Sequence, residues 1–179
     1  MRKQLRPTDV KRLNRTWRRA TGNRLAMIVE SVTGPFNVGA IFRSAAAFGV
    51  DRIWLAGNTT PPTNPKAGKT ALGTDRLVAW KDGLTAAQAV QEAKDDGYTV
   101  LAVELTSDAK PLFKADLARD VCLVVGSEDH GCSPALLEAA DGEIYIPQVG
   151  RVGSFNVSVA AAIALAEARR QEWQDLADL

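Results

Sequence analysis

Two cysteines, one histidine and the lack of any long apolar run set the first limits on this chain. Cys122 and Cys132 have no CxxC partner and no histidine at ligand spacing, so a zinc site lacks its donors. No stretch approaches the ~20 consecutive apolar residues that span a bilayer. The basic beginning is not followed by the apolar core and cleavage site of a secretory signal. These absences point to a cytoplasmic protein with no membrane segment and no metal, in which a structural disulfide is not expected. There is also no GxGxxG fingerprint and no GxxxxGK[ST] loop, which excludes a standard dinucleotide-binding enzyme and a phosphate-loop NTPase. Internal repeats and low-complexity tracts are missing as well.

What remains is a chain of 179 residues, long enough for one domain with a real core. Its net charge of +1 is unevenly spread. Residues 1–24 hold nine cations (Arg2, Lys3, Arg6, Lys11, Arg12, Arg15, Arg18, Arg19 and Arg24) against one acid, Asp9. From Leu101 onward the chain is net acidic. A basic arm on a near-neutral body is the usual footprint of binding to a phosphate backbone. Trp17 lies within the arm and can stack on a base. The alternative is a solvated helix whose arginines keep it soluble. The chain thus divides into a basic arm, 1–24, and a body, 25–179.

Along the body, apolar runs alternate with helical patterns. Leu25–Val29, Arg52–Leu55, Leu77–Trp80, Thr99–Val103, Val121–Val125 and Ile144–Ile146 read as strands. Asn37–Phe48 carries Val38, Ile41, Phe42, Ala45 and Phe48 at helical spacing and ends at Gly49. Leu84–Lys94 and Pro134–Ala140 read as further helices. Asn58–Pro65 reads as a loop, and Pro111–Ala115 stays ambiguous. Alternation of this kind predicts an α/β fold with a mainly parallel sheet flanked by helices.

In such folds the ligand sits at the carboxyl ends of the strands. Three loops rich in glycine or polar residues fall there: Glu30–Gly39, Gly126–Gly131 and Gly150–Asn156. The last leads through Ser154, Asn156 and Ser158 into the apolar run Val159–Ala168. Each of those three side chains can cap the helix that begins there. A polar cluster feeding so apolar a helix also suggests a site.

Taken together the loops carry a resemblance. Asn37-Val38-Gly39-Ala40-Ile41-Phe42-Arg43, Val125-Gly126-Ser127-Glu128-Asp129-His130-Gly131, and Ile146-Pro147 through Ser154-Phe155-Asn156-Val157-Ser158 resemble the three motifs of the TrmH (SpoU) family. These are RNA ribose 2′-O-methyltransferases of the SPOUT superfamily. The likeness runs from about Leu25 to Arg170. One departure is Phe155, where the family usually has leucine.

The resemblance implies a C-terminal trefoil knot, S-adenosyl-L-methionine bound in it, and a homodimer with the site near its interface. Val103, Leu105, Gly126, Ile146, Pro147 and Phe155 then line the cofactor pocket. Arg43 matches the family's catalytic arginine, either removing the ribose proton with help from an RNA phosphate or clamping that phosphate. Asn37 places Arg43 or caps its helix. Glu128 organises the site through hydrogen bonds, or is only a solvated loop acid. Ser154 and Asn156 support cofactor loop and substrate, capping aside. His130 matches no fixed family residue and receives no role. Lys66 and Lys69 can contact phosphate or stand in a solvated loop. The expected function is methyl transfer to RNA, with tRNA the leading substrate and rRNA, including antibiotic-resistance types, the runner-up. A catalytically silent RNA-binding homologue is the reading from another class.

Overall fold

The computed structural model describes residues 3–174 and 176. Arg2 of the basic arm lies outside the described residues.

Strand β1 (Leu25–Glu30) runs through the centre of a seven-stranded sheet. To one side lie β2 (Arg52–Ala56) and the edge strand β3 (Ala79–Leu84). To the other lie β6 (Val121–Val125), β4 (Thr99–Val103), β7 (Gly142–Tyr145) and the two-residue β5 (Lys110–Pro111). Every pairing is parallel. β1 and β6 are buried along their whole length, which explains their unbroken apolar runs: a parallel strand is covered on both faces.

Successive residues of β1 point to opposite faces and seed two cores. Leu25, Met27 and Val29 pack with Val38, Ile41, Phe42 and Ala45 of α2 (Pro35–Phe48) and with Ala161, Ala164 and Leu165 of α6 (Val157–Glu172). Ala26 and Ile28 pack with Ala89, Val90 and Ala93 of α4 (Ala86–Asp95) and Leu136 of α5 (Pro134–Ala139). The result is three layers, with every strand's carboxyl end on the same edge of the sheet.

Several boundaries differ from the sequence expectation, each for a local reason. The strand expected at Leu77–Trp80 runs instead over Ala79–Leu84, and Leu77 is 74% exposed after a 3-10 turn. This edge strand carries Lys81, Asp82 and Gly83 on exposed positions, which hid it from an apolar search. The helix expected from Leu84 begins at Ala86, because Thr85 and Gln88 form a reciprocal capping box at 3.3 and 2.9 Å. Another helix, α3 (Pro65–Ala71), was not expected; it is short, starts at a proline and is capped by Asn64. The last strand covers Gly142–Tyr145, leaving Ile146 just past its end. The ambiguous segment is β5 followed by a 3-10 turn over Leu112–Lys114.

The basic arm forms α1 (Pro7–Ala20), a helix with no buried residue. Trp17 does not face solvent as a free stacking ring. It is half-buried against Trp173, ring centroids 4.9 Å apart. The Trp173 indole N–H donates to Thr21 Oγ1 at 2.9 Å. Below this pair, Glu172 accepts from the N–H groups of Gly22 and Asn23, each at 2.7 Å. Arg169 pairs with Glu172 at 2.6 Å and donates to the carbonyls of Asn23, Phe48 and Gly49. A buried ion pair is tolerable when its remaining donors and acceptors are matched in this way. The clamp fixes the point at which the arm leaves the body.

Candidate active site at the carboxyl ends of the strands

The chain leaves β1, β4, β6 and β7 at one edge of the sheet, and two buried or half-buried carboxylates tie the exits together. Glu30, the last residue of β1, accepts from the backbone N–H and hydroxyl of Ser133 at 2.9 and 2.6 Å, holding the start of α5. Glu104, just past β4, accepts from Cys132 N–H at 2.9 Å and from Leu105 N–H at 3.0 Å. Between them the Ser127–Gly131 loop closes on itself through paired backbone bonds of 3.1 and 2.8 Å. Gly126 lies against the backbone of Gly131 and Cys132, so closely that no side chain fits there. Burial, with Glu104 and Glu30 beside it, pushes the Cys132 thiol well above its ordinary pKa. Cys132 is buried and packs in the second core.

These exits enclose a cleft. Val103, Leu105, Gly126, Ile146 and Phe155, five of the residues singled out from sequence, line it, along with Glu128 and Ser154. Pro147 does not: it lines a separate apolar groove with Leu112, Phe113, Ile163 and Ala166. Sequence reasoning left out Glu104, Ser127, Tyr145 and Gln148, which also line the cleft. Glu104 had a signal: it is the polar residue that directly follows an apolar strand, as Glu30 does.

The polar residues of the three loops meet. Asn156 caps α6, its Oδ1 accepting from Ser158 N–H at 3.0 Å and from the Ser158 hydroxyl at 2.7 Å. That choice leaves its amide nitrogen to donate, and it donates to Asn37 Oδ1 at 3.0 Å. Asn37 in turn donates through Nδ2 to Glu128 Oε1. Each asparagine thus has its amide orientation set by its neighbours. The chain Ser158–Asn156–Asn37–Glu128 joins residues up to 119 positions apart. Asn156 alone acts as the N-cap; Ser154 is exposed in the preceding loop and Ser158 lies inside the first turn.

Arg43 lies exposed on α2 and forms no ion pair among the described residues. α3 packs beside it. A Cβ on Gly39, one turn before Arg43, would lie 2.6 Å from Ala67 O and 2.6 Å from Thr70 Cβ. This contact brings Lys66 and Lys69, both exposed on α3, alongside α2. His130 is exposed at the tip of the Ser127–Gly131 loop and does not line the cleft. No group of acids, cysteines and histidine suited to a metal ion occurs among the described residues. No helix among them is long and apolar enough to cross a membrane.

Comparison with known proteins places the chain in a family. The profile of the SpoU rRNA methylase family matches residues 24–166. A tRNA (guanosine(18)-2′-O)-methyltransferase of Thermus thermophilus is 36% identical over 82% of this chain and 75% of its own length. A 23S rRNA (guanosine-2′-O-)-methyltransferase of Acinetobacter baylyi is 34% identical over 82% of this chain and 60% of its own. Among solved structures, an AdoMet-bound rRNA methyltransferase from Sinorhizobium meliloti superposes with a TM-score of 0.78 at 28% identity, covering 84% of this chain and 57% of that one. The chain spans only 54% and 60% of the length of the first two curated relatives it matches. With the family profile running from just before β1 well into α6, and with its motif residues gathered at one edge of the sheet, the chain is a member of the SpoU methylase family.

Proposed function

We propose that this protein transfers a methyl group from S-adenosyl-L-methionine to a ribose 2′-OH of RNA, with tRNA the favoured substrate. The observation that carries the reading is the hydrogen-bonded chain Asn156–Asn37–Glu128, which joins all three motifs at the rim of one cleft. The residues present fit the cofactor. Val103, Leu105, Ile146 and Phe155 offer an apolar wall suited to an adenine ring, and the carboxylates of Glu104 and Glu128 suit a cationic ligand. That cofactor supplies an electrophilic methyl on a sulfonium.

The chain's own residues do the rest. A ribose hydroxyl is a weak nucleophile at neutral pH and must be aligned and relieved of its proton. Arg43 is the residue for this, acting on the hydroxyl with an RNA phosphate as partner or holding that phosphate while alkoxide charge develops. Its permanent charge favours the second role. Asn37 lies in the first turn of the same helix, so its bonds to Glu128 and Asn156 fix the start of α2, and with it Arg43, beside the cleft. Ser154 and Asn156 shape the cofactor loop.

The arm, residues 1–24, is a separate RNA-binding element, and 25–179 is the SPOUT catalytic domain. Within the latter we propose the family's trefoil knot. What supports it is the strand order, in which β4 lies between β6 and β7. We further propose a homodimer: the groove of Leu112, Phe113, Ile146, Pro147, Ile163 and Ala166, lined also by the Glu167–Arg170 ion pair, is mainly apolar and shares Ile146 with the cleft. The protein works in the cytoplasm, where its RNA is found.

An rRNA substrate is the second reading, since relatives of both kinds are about equally similar. The tRNA reading is favoured because the tRNA enzymes of Thermus thermophilus and Escherichia coli are each 36% identical to this chain, against 34% for the rRNA enzyme. The test is incorporation of labelled methyl from the cofactor into purified unmodified tRNA and, separately, rRNA fragments. Label in tRNA and not in rRNA is expected. The reverse pattern overturns the tRNA assignment, and label in neither overturns the activity.

A further inference from the structure

One stripe of α2 is used by neither the core nor the polar chain. Phe36, Ala40, Arg43 and Ala47 recur at three- and four-residue spacing and therefore share a face. Phe36 is 62% exposed. Ala40 is half-buried, and Arg43 and Ala47 are exposed. The opposite side of the helix carries the buried Val38, Ile41, Phe42 and Ala45.

The Phe36 ring has no use within the fold. It enters no aromatic pair and lies under no cation among the described residues. Its place is nonetheless tightly defined. The next residue, Asn37, is bonded to Glu128 and Asn156. Two residues earlier, a Cβ on Gly34 would lie 3.5 Å from Glu128 Oε1. Phe36 thus stands beside the site. Arg43 lies two turns further along the same face, roughly 10 Å at 1.5 Å per residue. α3 flanks the stripe at Gly39 and presents Lys66 and Lys69, neither of them ion-paired among the described residues.

We infer that Phe36 is a stacking platform for an RNA base next to the nucleotide being modified, with Arg43, Lys66 and Lys69 taking the flanking phosphates. This rests on the RNA methyltransferase reading above. A flat apolar ring among unpaired cations complements a polymer that alternates flat bases with anions. Ala40, between ring and arginine, leaves room for the sugar. A base can offer its face to Phe36 only outside a helix, so the substrate class is a looped or single-stranded RNA segment.

A partner protein's apolar side chain is the competing occupant, and it would accept leucine at this position as readily as phenylalanine. The experiment therefore compares wild type, Phe36→Leu and Phe36→Trp. Fluorescence anisotropy follows binding of a short labelled oligoadenylate and of an abasic ribose-phosphate oligomer of the same length. Phe36→Leu is expected to lose roughly 5- to 150-fold in affinity for oligoadenylate, the range for one stacked base, and little for the abasic oligomer. Phe36→Trp is expected to keep wild-type affinity. The salt dependence should stay unchanged, because no charge is removed. Cofactor binding by calorimetry should be the same in all three proteins. Equal oligoadenylate affinity of wild type and Phe36→Leu overturns the platform while the methyltransferase reading stands. So does an equal loss for the abasic oligomer. A wild-type protein that binds neither oligomer overturns the RNA reading, and the platform with it.

Discussion

Arg43 is where the chemistry is most exposed to test. It forms no ion pair among the described residues and sits on a helix that Asn37 ties to Glu128 and Asn156. Arg43→Ala should cut single-turnover methyl transfer at saturating RNA by at least ~100-fold, the lower range for losing a proton acceptor or a charge-stabilising donor. Cofactor affinity and melting temperature should stay near wild type, since Arg43 does not line the cleft. Arg43→Lys should rescue poorly, because an ammonium cannot make a planar two-pronged contact with phosphate. Turnover by Arg43→Ala close to wild type would remove Arg43 from the mechanism. At this scale the sequence singled out residues that the fold brings together, and was silent about how they connect. Asn37, Glu128 and Asn156 are visible from their motifs. Their mutual bonds span 91 and 119 residues and depend on the strand order, which no local pattern encodes. Ile146 lines both the cleft and the neighbouring groove, and Pro147, one residue on, lines the groove alone.

The elements separate into those that announce themselves and those that do not. β1 and β6 are continuous apolar runs because both faces are covered, and they were legible at once. β3 was legible only in part, placed two residues early because its far half is solvated, and α3 was not legible, since a seven-residue helix is too short for periodicity. The pairing of α2 with α3 rests on Gly39, whose motif position was clear but whose neighbour was not. Gly39→Ala should raise helix propensity by up to ~1 kcal/mol and still destabilise the protein by about 1–3 kcal/mol. The new methyl meets the backbone of α3 at Ala67, which cannot swing aside. Urea unfolding would measure this, and unchanged or increased stability would show that the two helices separate freely. The arm tests differently. Deleting residues 1–20 removes eight cations and one acid. RNA affinity should fall and its salt dependence flatten, because fewer counterions are released, while cofactor affinity holds. An identical salt slope for both proteins would make α1 a solvated helix only.

The whole molecule is an α/β sandwich whose active edge gathers residues from both ends of the chain. Its class was predictable from alternating strands and helices. The order β3-β2-β1-β6-β4-β7-β5 was not, because parallel strands report nothing in their own composition about their neighbours. The proposed dimer belongs to the scale of the whole molecule, and the mainly apolar groove beside the cleft is where it is tested. Sedimentation equilibrium at micromolar concentration should give twice the chain mass, and Phe113→Asp, at a 59% exposed groove position, should shift the species toward monomer. A wild-type monomer under those conditions would remove the dimer. The claim beneath all of this is that the protein methylates a ribose oxygen of RNA. The most direct measurement is incubation of the purified protein with methyl-labelled S-adenosyl-L-methionine and total RNA lacking the modification, followed by digestion to nucleosides and chromatography. The account predicts label in a 2′-O-methylnucleoside at one position of a tRNA. Label on a base, or RNA binding without any transfer, would contradict it.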